Sequence, residues 1–166
     1  VNLTELAQMR CETMRPMASR QKVGIRVDSA MPPMLVSVDP DRISQVLDNL
    51  IANAIRHSPE DSTISIKLQA NDHGIECSVS DSGIGISSKH LPFIFDRFYR
   101  AGATPGVHGT GLGLYLSRLL VEVQGGWISA SSSGIGSGAA FAVTLPIDPD
   151  WQPAAAEELA APADTE

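Results

Sequence analysis

The hydrophobic positions change period along the chain, and each change marks an element. From Thr4 to about Lys22, Leu6, Met9, Met14 and Met17 recur near one side of a helix, with Pro16 counting against its continuity. Val23–Val27 alternates as a strand does, Pro32-Pro33 marks a turn, and Leu35–Val38 reads as a short strand. Asp39 followed by Pro40 is a cap and a first-turn proline, so a helix starts there. It runs to about His57, where Ser58-Pro59 ends it. At ~100° per residue, Ile43, Val46, Leu47, Leu50, Ile51 and Ala54 fall on one stripe of that helix.

The period then becomes two. Ile64, Ile66 and Leu68 alternate on one strand, Ile75, Cys77 and Val79 on the next, with Asn71–Gly74 between them. Residues 82–90 are turn-rich, Leu91–Phe98 reads as a short helix, and 101–110 is a Gly-, Pro- and Thr-rich loop. A helix follows from Leu112 to about Val123. Trp127–Ala130 and Ala139–Leu145 close the fold as strands, joined through Gly134–Gly138. Helix and strand alternate first and strands then pair through hairpins. That order predicts an α+β mixed-sheet sandwich rather than a doubly wound sheet.

Composition narrows the function classes. The chain has 166 residues, of which 43% are hydrophobic and 19% charged, enough to bury a core. The net charge of −7 is concentrated at one end: six acids and no Lys or Arg follow from Asp148, leaving 13 acids against 12 bases in residues 1–147. The body has no broad basic face for nucleic acid. We therefore expect a folded domain over 1–147 and a disordered Ala- and Pro-rich acidic tail over 148–166. No apolar run approaches ~18 residues, and the first residues do not read as a signal peptide. Cys11 and Cys77 form no framework and fit a reducing, cytoplasmic setting.

Four segments carry more than packing requires. Asn49, Asn53 and Arg56 stack along the flank of the Pro40–His57 helix, as a polar wall of a pocket or as a solvated face; a carboxamide oxygen suits Mg²⁺. Asp81 shares strand parity with Ile75, Cys77 and Val79. It either enters the core side, where it needs a hydrogen-bond donor, or begins a turn. Gly83 and Gly85 directly after it suggest close backbone approach, and adenine carries an exocyclic amine where guanine carries a carbonyl. Gly109-Thr110-Gly111-Leu112-Gly113-Leu114 opens an apolar helix, either as an anion site or as a flexible linker. Phe93–Arg100 gathers half of the chain's aromatic residues. Arg97 and Arg100, three apart, either fold over a polyphosphate or are solvated.

Taken in order, these segments resemble the boxes of sensor histidine kinases. Asp48–Pro59 is similar to the N box, Asp81–Gly85 to the first glycine box, and Phe93–Arg100 to the F box. Gly109–Leu114 is similar to the second glycine box, and Gly134–Gly138 before Phe141 to the last. The match covers about Leu3 to Ile147. The resemblance implies a Bergerat-type two-layer α/β sandwich, a mixed and mostly antiparallel sheet backed by helices, with ATP under a lid. It implies Mg²⁺ on Asn53 with Asn49 beside it, Arg56 near the phosphates, and His57 near the adenine or ribose. Asp81 would take the adenine amino group, with Gly83, Gly85 and Ile86 shaping the pocket. Arg97 and Arg100 would belong to the lid base and, with Asn49 and Arg56, serve catalysis, while Tyr99 would contact the nucleotide. Gly109, Thr110, Gly111, Leu112, Gly113 and Leu114 would meet the phosphates, and Thr144 would close the adenine pocket.

Hydrolysing relatives carry Glu four residues before the metal-binding Asn. Here that residue is Asn49, which cannot act as a general base. The resemblance therefore implies phosphoryl transfer with very slow hydrolysis, to a histidine on a dimerisation domain that this sequence does not contain, and indirectly to a response regulator. His57, His73, His90 and His108 lie outside any phosphoacceptor motif. The chain reads as part of a membrane sensor kinase or as a separate catalytic subunit acting in trans, the latter slightly favoured. An anti-sigma-factor-type serine kinase and a non-catalytic nucleotide-binding regulator are the rival expectations.

Overall fold

The computed structural model describes residues 1–27, 32–101 and 110–150. Helix α1 spans Leu3–Arg20, strand β1 Gly24–Val27 and helix α2 Pro40–His57. A hairpin of β2 (Thr63–Asn71) and β3 (Gly74–Ser80) follows. Helix α3 spans Gly113–Glu122 and leads into β4 (Trp127–Ser131) and β5 (Ala140–Leu145).

The strands form one five-stranded sheet in the order β1-β2-β3-β5-β4. Only the β1–β2 pair is parallel. The register aligns the apolar rows across it. Ile25 lies beside Ile64, Ile66 beside Val79, Cys77 beside Val143, and Ile128 also beside Val143. That single apolar face meets the helices, and Ile43, Val46, Leu47, Leu50, Ile51 and Ile55 of α2 are fully buried in the joint core. The arrangement is the expected mixed, mostly antiparallel two-layer sandwich.

Local chemistry explains the element ends. Asp39 Oδ1 accepts from the amides of Asp41 and Arg42 (2.9 and 3.2 Å), so α2 begins at Pro40 as the sequence predicts. Helix α1 runs unbroken through exposed Pro16. Its core stripe is Leu3, Ala7, Cys11 and Ala18, while Met9, about 200° away from Cys11 on a helical wheel, is exposed. A bidentate ion pair, Arg10 to Asp48 at 2.7 and 2.8 Å, fastens α1 to α2.

Two expected elements differ. Leu35–Val38 forms no strand; single bridges join Leu35 to Asn2 and Val36 to Ile147. Leu91–Phe98 is not a helix beyond a 3-10 turn at Leu91–Phe93, and Phe98 turns away at φ 61°, where a helix cannot continue. The Asp148 amide still donates to the Leu35 carbonyl (3.0 Å), one residue past the expected boundary. Of the tail expected to be disordered over 148–166, residues 148–150 form a turn in which the Asp150 amide donates to Asp148 Oδ1 (3.0 Å); residues 151–166 lie outside the described residues, as does most of the loop at 101–110.

Both cysteines are buried thiols. Burial pushes Cys11 up to about 11 and Cys77 up to about 12, far from the reactive thiolate range.

Candidate functional site

Helix α2 is the backbone of the site, because its exposed flank touches two other segments. Near its middle, Asn49 Nδ2 donates to Ser117 Oγ of α3 (2.9 Å). Gly113, the first residue of α3, lies flush on the same side chain, and a Cβ there would stand 2.6 Å from Asn49 Oδ1. At the end of α2, the His57 carbonyl abuts Gly83, where a Cβ would stand 2.0 Å from that oxygen. Eight residues of α2 separate these junctions, a rise of about 12 Å at 1.5 Å per residue. Asn53 lies between them, half-buried, with no side-chain hydrogen bond among the described residues.

Asp81 continues the sheet rather than starting a free turn. Its amide donates to the Ala139 carbonyl (2.9 Å), carrying the β3–β5 pairing one residue past Ser80. It is half-buried, and its Oδ1 accepts from the amides of Gly83 (2.8 Å) and Ala139 (3.3 Å). Oδ2 has no hydrogen bond among the described residues. Burial, and then the adjacent Arg56 cation, lower the His57 pKa below 6.5, while Asp81 draws it back up. The imidazole and the carboxylate therefore sense each other across this corner.

The segment Asp81–Ile86 is laced to the loop at 132–138. Gly136 donates to the Ile84 carbonyl (2.7 Å) and Gly138 to the Gly83 carbonyl (3.1 Å). Gly85 has φ +71° and lies against the Gly134 carbonyl, which a Cβ would approach to 2.0 Å. Ser132 Oγ accepts from the Ile86 amide (3.0 Å). Nothing in the residue pattern singles out Ser132; a serine flanked by two other serines gives no signal before the loop is folded.

At the far junction, Gly111 has φ +69° and packs on Phe98 and Tyr99, and the Phe98 amide donates to its carbonyl (3.0 Å). Leu112, at the N-cap position before α3, offers no side-chain cap, so the first amides of the helix are met by no capping group. Thr110 is exposed, and Leu112, Gly113 and Leu114 are half-buried around that start. Gly109 lies outside the described residues. Arg97 is exposed and stacks over the Phe98 ring (4.7 Å to its centre). Arg100 is exposed, and Arg56 Nε folds back to the Ala52 carbonyl (3.2 Å).

Two expected site residues are not brought in. Thr144 is buried beside Glu76 and Trp127, toward the start of β3, whereas Asp81 follows the end of that strand. Antiparallel pairing puts it several residues of strand away. Tyr99 is used structurally: its hydroxyl is engaged by His90 Nδ1 and its ring tilts against Phe93. It braces the turn against which Gly111 packs.

Residues 38–149 match the family described as "Histidine kinase-, DNA gyrase B-, and HSP90-like ATPase". The chain belongs to this ATPase family. Within it, the chain is 40% identical over 129 residues to the sensor histidine kinase WalK of Bacillus subtilis, covering 73% of this chain and 21% of that protein. It is 41% identical over 112 residues to the sensor protein SrrB of Staphylococcus aureus, covering 66% of this chain and 19% of SrrB. The chain thus spans about a fifth of the length of these curated relatives. The mycobacterial sensor histidine kinase MprB superposes with a TM-score of 0.80 at 26% identity, covering 90% of this chain and 98% of that structure. Full-length ShkA in complex with AMPPNP superposes at 0.77 and 27% identity, over 89% of this chain and 30% of that one. No helix of the described residues is long and apolar enough to cross a membrane.

Proposed function

We propose that this chain binds Mg-ATP along the flank of α2 and transfers the γ-phosphoryl group to a histidine on a dimerisation domain carried elsewhere, from which a response regulator is phosphorylated. The observation that carries the reading is the pair of junctions on α2, Gly83 against His57 at one end and Gly113 against Asn49 at the other. They bring one acid and one uncapped helix start to the same helix, α2.

The residues fit the nucleotide. Asp81 Oδ2 accepts from the adenine amino group, with Gly83, Gly85 and Ile86 as the floor and His57 at the base or ribose. Guanine would face the same oxygen with a carbonyl, a mismatch costing on the order of 1–3 kcal/mol. The phosphates lie at the start of α3, where Thr110, Gly111, Leu112, Gly113 and Leu114 offer backbone amides and the two glycines carry no side chain. Arg56, Arg97 and Arg100 are the cations assigned to the polyphosphate.

The residues also fit Mg²⁺. Asn53 presents a hard oxygen without a hydrogen bond to lose. No group of three or more His, Cys, Asp or Glu among the described residues could hold a metal. Asn53 would hold the ion through its carboxamide oxygen. When bound, the ion supplies charge neutralisation on the polyphosphate. Asn49, fixed by Ser117, forms the wall beside it and can take no proton. Transfer therefore rests on positioning, with the nucleophile brought by the histidine partner.

The test is a titration of ATP with and without Mg²⁺, followed by incubation of the loaded chain with a histidine-bearing dimerisation hairpin. We expect Mg²⁺-dependent binding, acid-labile phosphate on the hairpin and very slow ADP release by the chain alone. Rapid steady hydrolysis by the isolated chain, or acid-stable phosphate on the partner, contradicts the reading.

A further inference from the structure

We infer that Ser132 is a positioning residue for purine recognition, resting on the nucleotide reading above. Of the three consecutive serines, Ser131 and Ser133 are exposed and Ser132 is half-buried. A hydroxyl has one donor and two acceptor positions, and Ser132 uses all three. It accepts from the amides of Ile86 (3.0 Å) and Gly134 (3.2 Å) and donates to the Gly138 carbonyl (2.6 Å), with the Gly134 carbonyl at 3.3 Å as the farther acceptor.

These partners are the ends of the acid-bearing segment. Gly138 donates to Gly83 and is packed on the Asp81 carbonyl, which a Cβ would approach to 2.0 Å. Ile86 ends the same segment. The hydroxyl thus closes a ring running Asp81, Gly83, Gly138, Ser132, Ile86. Remove it, and the Ile86 amide loses the bond that holds the segment's end. The ladder bond of Asp81 and the backbone bonds from Gly136 to Ile84 and from Gly138 to Gly83 survive, but the floor under the purine loses its tie at Ile86. Ser132 acts through this floor and not by touching the nucleotide.

The consequence is selective. A loosened floor weakens the ligand that uses Asp81, and GTP uses it least. For Ser132→Ala we expect ATP to bind about tenfold more weakly in calorimetry, with GTP changed less than twofold, so that the ATP-over-GTP preference narrows. Ser132→Cys keeps the side-chain bulk with a weaker hydrogen bond, and we expect about a threefold loss for ATP; it carries the test if the alanine variant does not fold. Ser131→Ala and Ser133→Ala should match the parent. ATP affinity within twofold of the parent in the folded variants, or equal weakening of ATP and GTP, overturns the inference. Asp81→Asn, run alongside, separates the two levels. If it weakens ATP while the Ser132 variants do not, only the Ser132 role fails. If it leaves ATP unaffected, the nucleotide reading fails.

Discussion

The two ends of the α2 flank are built in opposite ways. At the Asp81 end the polar groups are spent internally: Asp81 Oδ1, the amides of Gly83, Ile86, Gly136 and Gly138, and Ser132 Oγ all bond to one another's segments. One carboxylate oxygen is left over. At the α3 end the valences stay open: an uncapped helix start and the Asn53 carboxamide. A site that selects one base needs a fixed acceptor, because the penalty for a wrong base exists only if the acceptor cannot move away. A site that grips phosphate through a metal and backbone amides needs groups with nothing else to bond.

The largest way to break this contrast is to push the ends apart. Gly83→Ala drives a Cβ into the His57 carbonyl, a backbone contact at 2.0 Å that no rotamer relieves. We expect about 3 kcal/mol lost in denaturant unfolding, with ATP affinity falling as well. Asp81→Asn acts on the fixed acceptor alone. The amide keeps a hydrogen bond but loses the charge, so ATP should bind roughly 10- to 100-fold more weakly, the worth of a charge-assisted bond, in a chain that still folds. Asn53→Ala acts on the open end. We expect about a tenfold loss in ATP affinity with Mg²⁺ present, by loss of one metal ligand, and none with the metal chelated.

A smaller effect sharpens the comparison through pH. His57 is held neutral in the folded state by burial and by Arg56. Its folded pKa lies below its ordinary 6.5, so its contribution to stability is complete above that pH and is lost as pH falls below it. His57→Gln should flatten that loss in unfolding curves recorded on either side of pH 6.5. The smallest effect belongs to a residue away from Asp81 along β3: Thr144→Val should change ATP affinity by less than twofold.

Much of this was legible in the residue order. The Asp39-Pro40 cap placed α2 to the residue, because capping is a local signal. Strand parity put Asp81 on the side of Val79, since the pairing with Ala139 carries the alternation one residue further. The misses share a cause. Thr144 lies on the expected strand but at its wrong end, and only the antiparallel register of β3 and β5 decides that. Ser132 needed two loops, 46 residues apart, to be folded together. Tyr99 lies in an aromatic run whose pattern does not reveal that its hydroxyl goes to His90. Met9 fitted a loose helical spacing, but the tighter stripe through Ala7 and Cys11 won the core.

An experimental structure of the chain with AMPPNP and Mg²⁺ decides whether Asp81 and the start of α3 hold the two ends of one nucleotide. We expect the adenine amino group within hydrogen-bond distance of Asp81 Oδ2, the metal on the Asn53 carboxamide oxygen, and phosphate oxygens at the amides that open α3. Adenine bound away from Asp81, or phosphates lying off the start of α3, would contradict it.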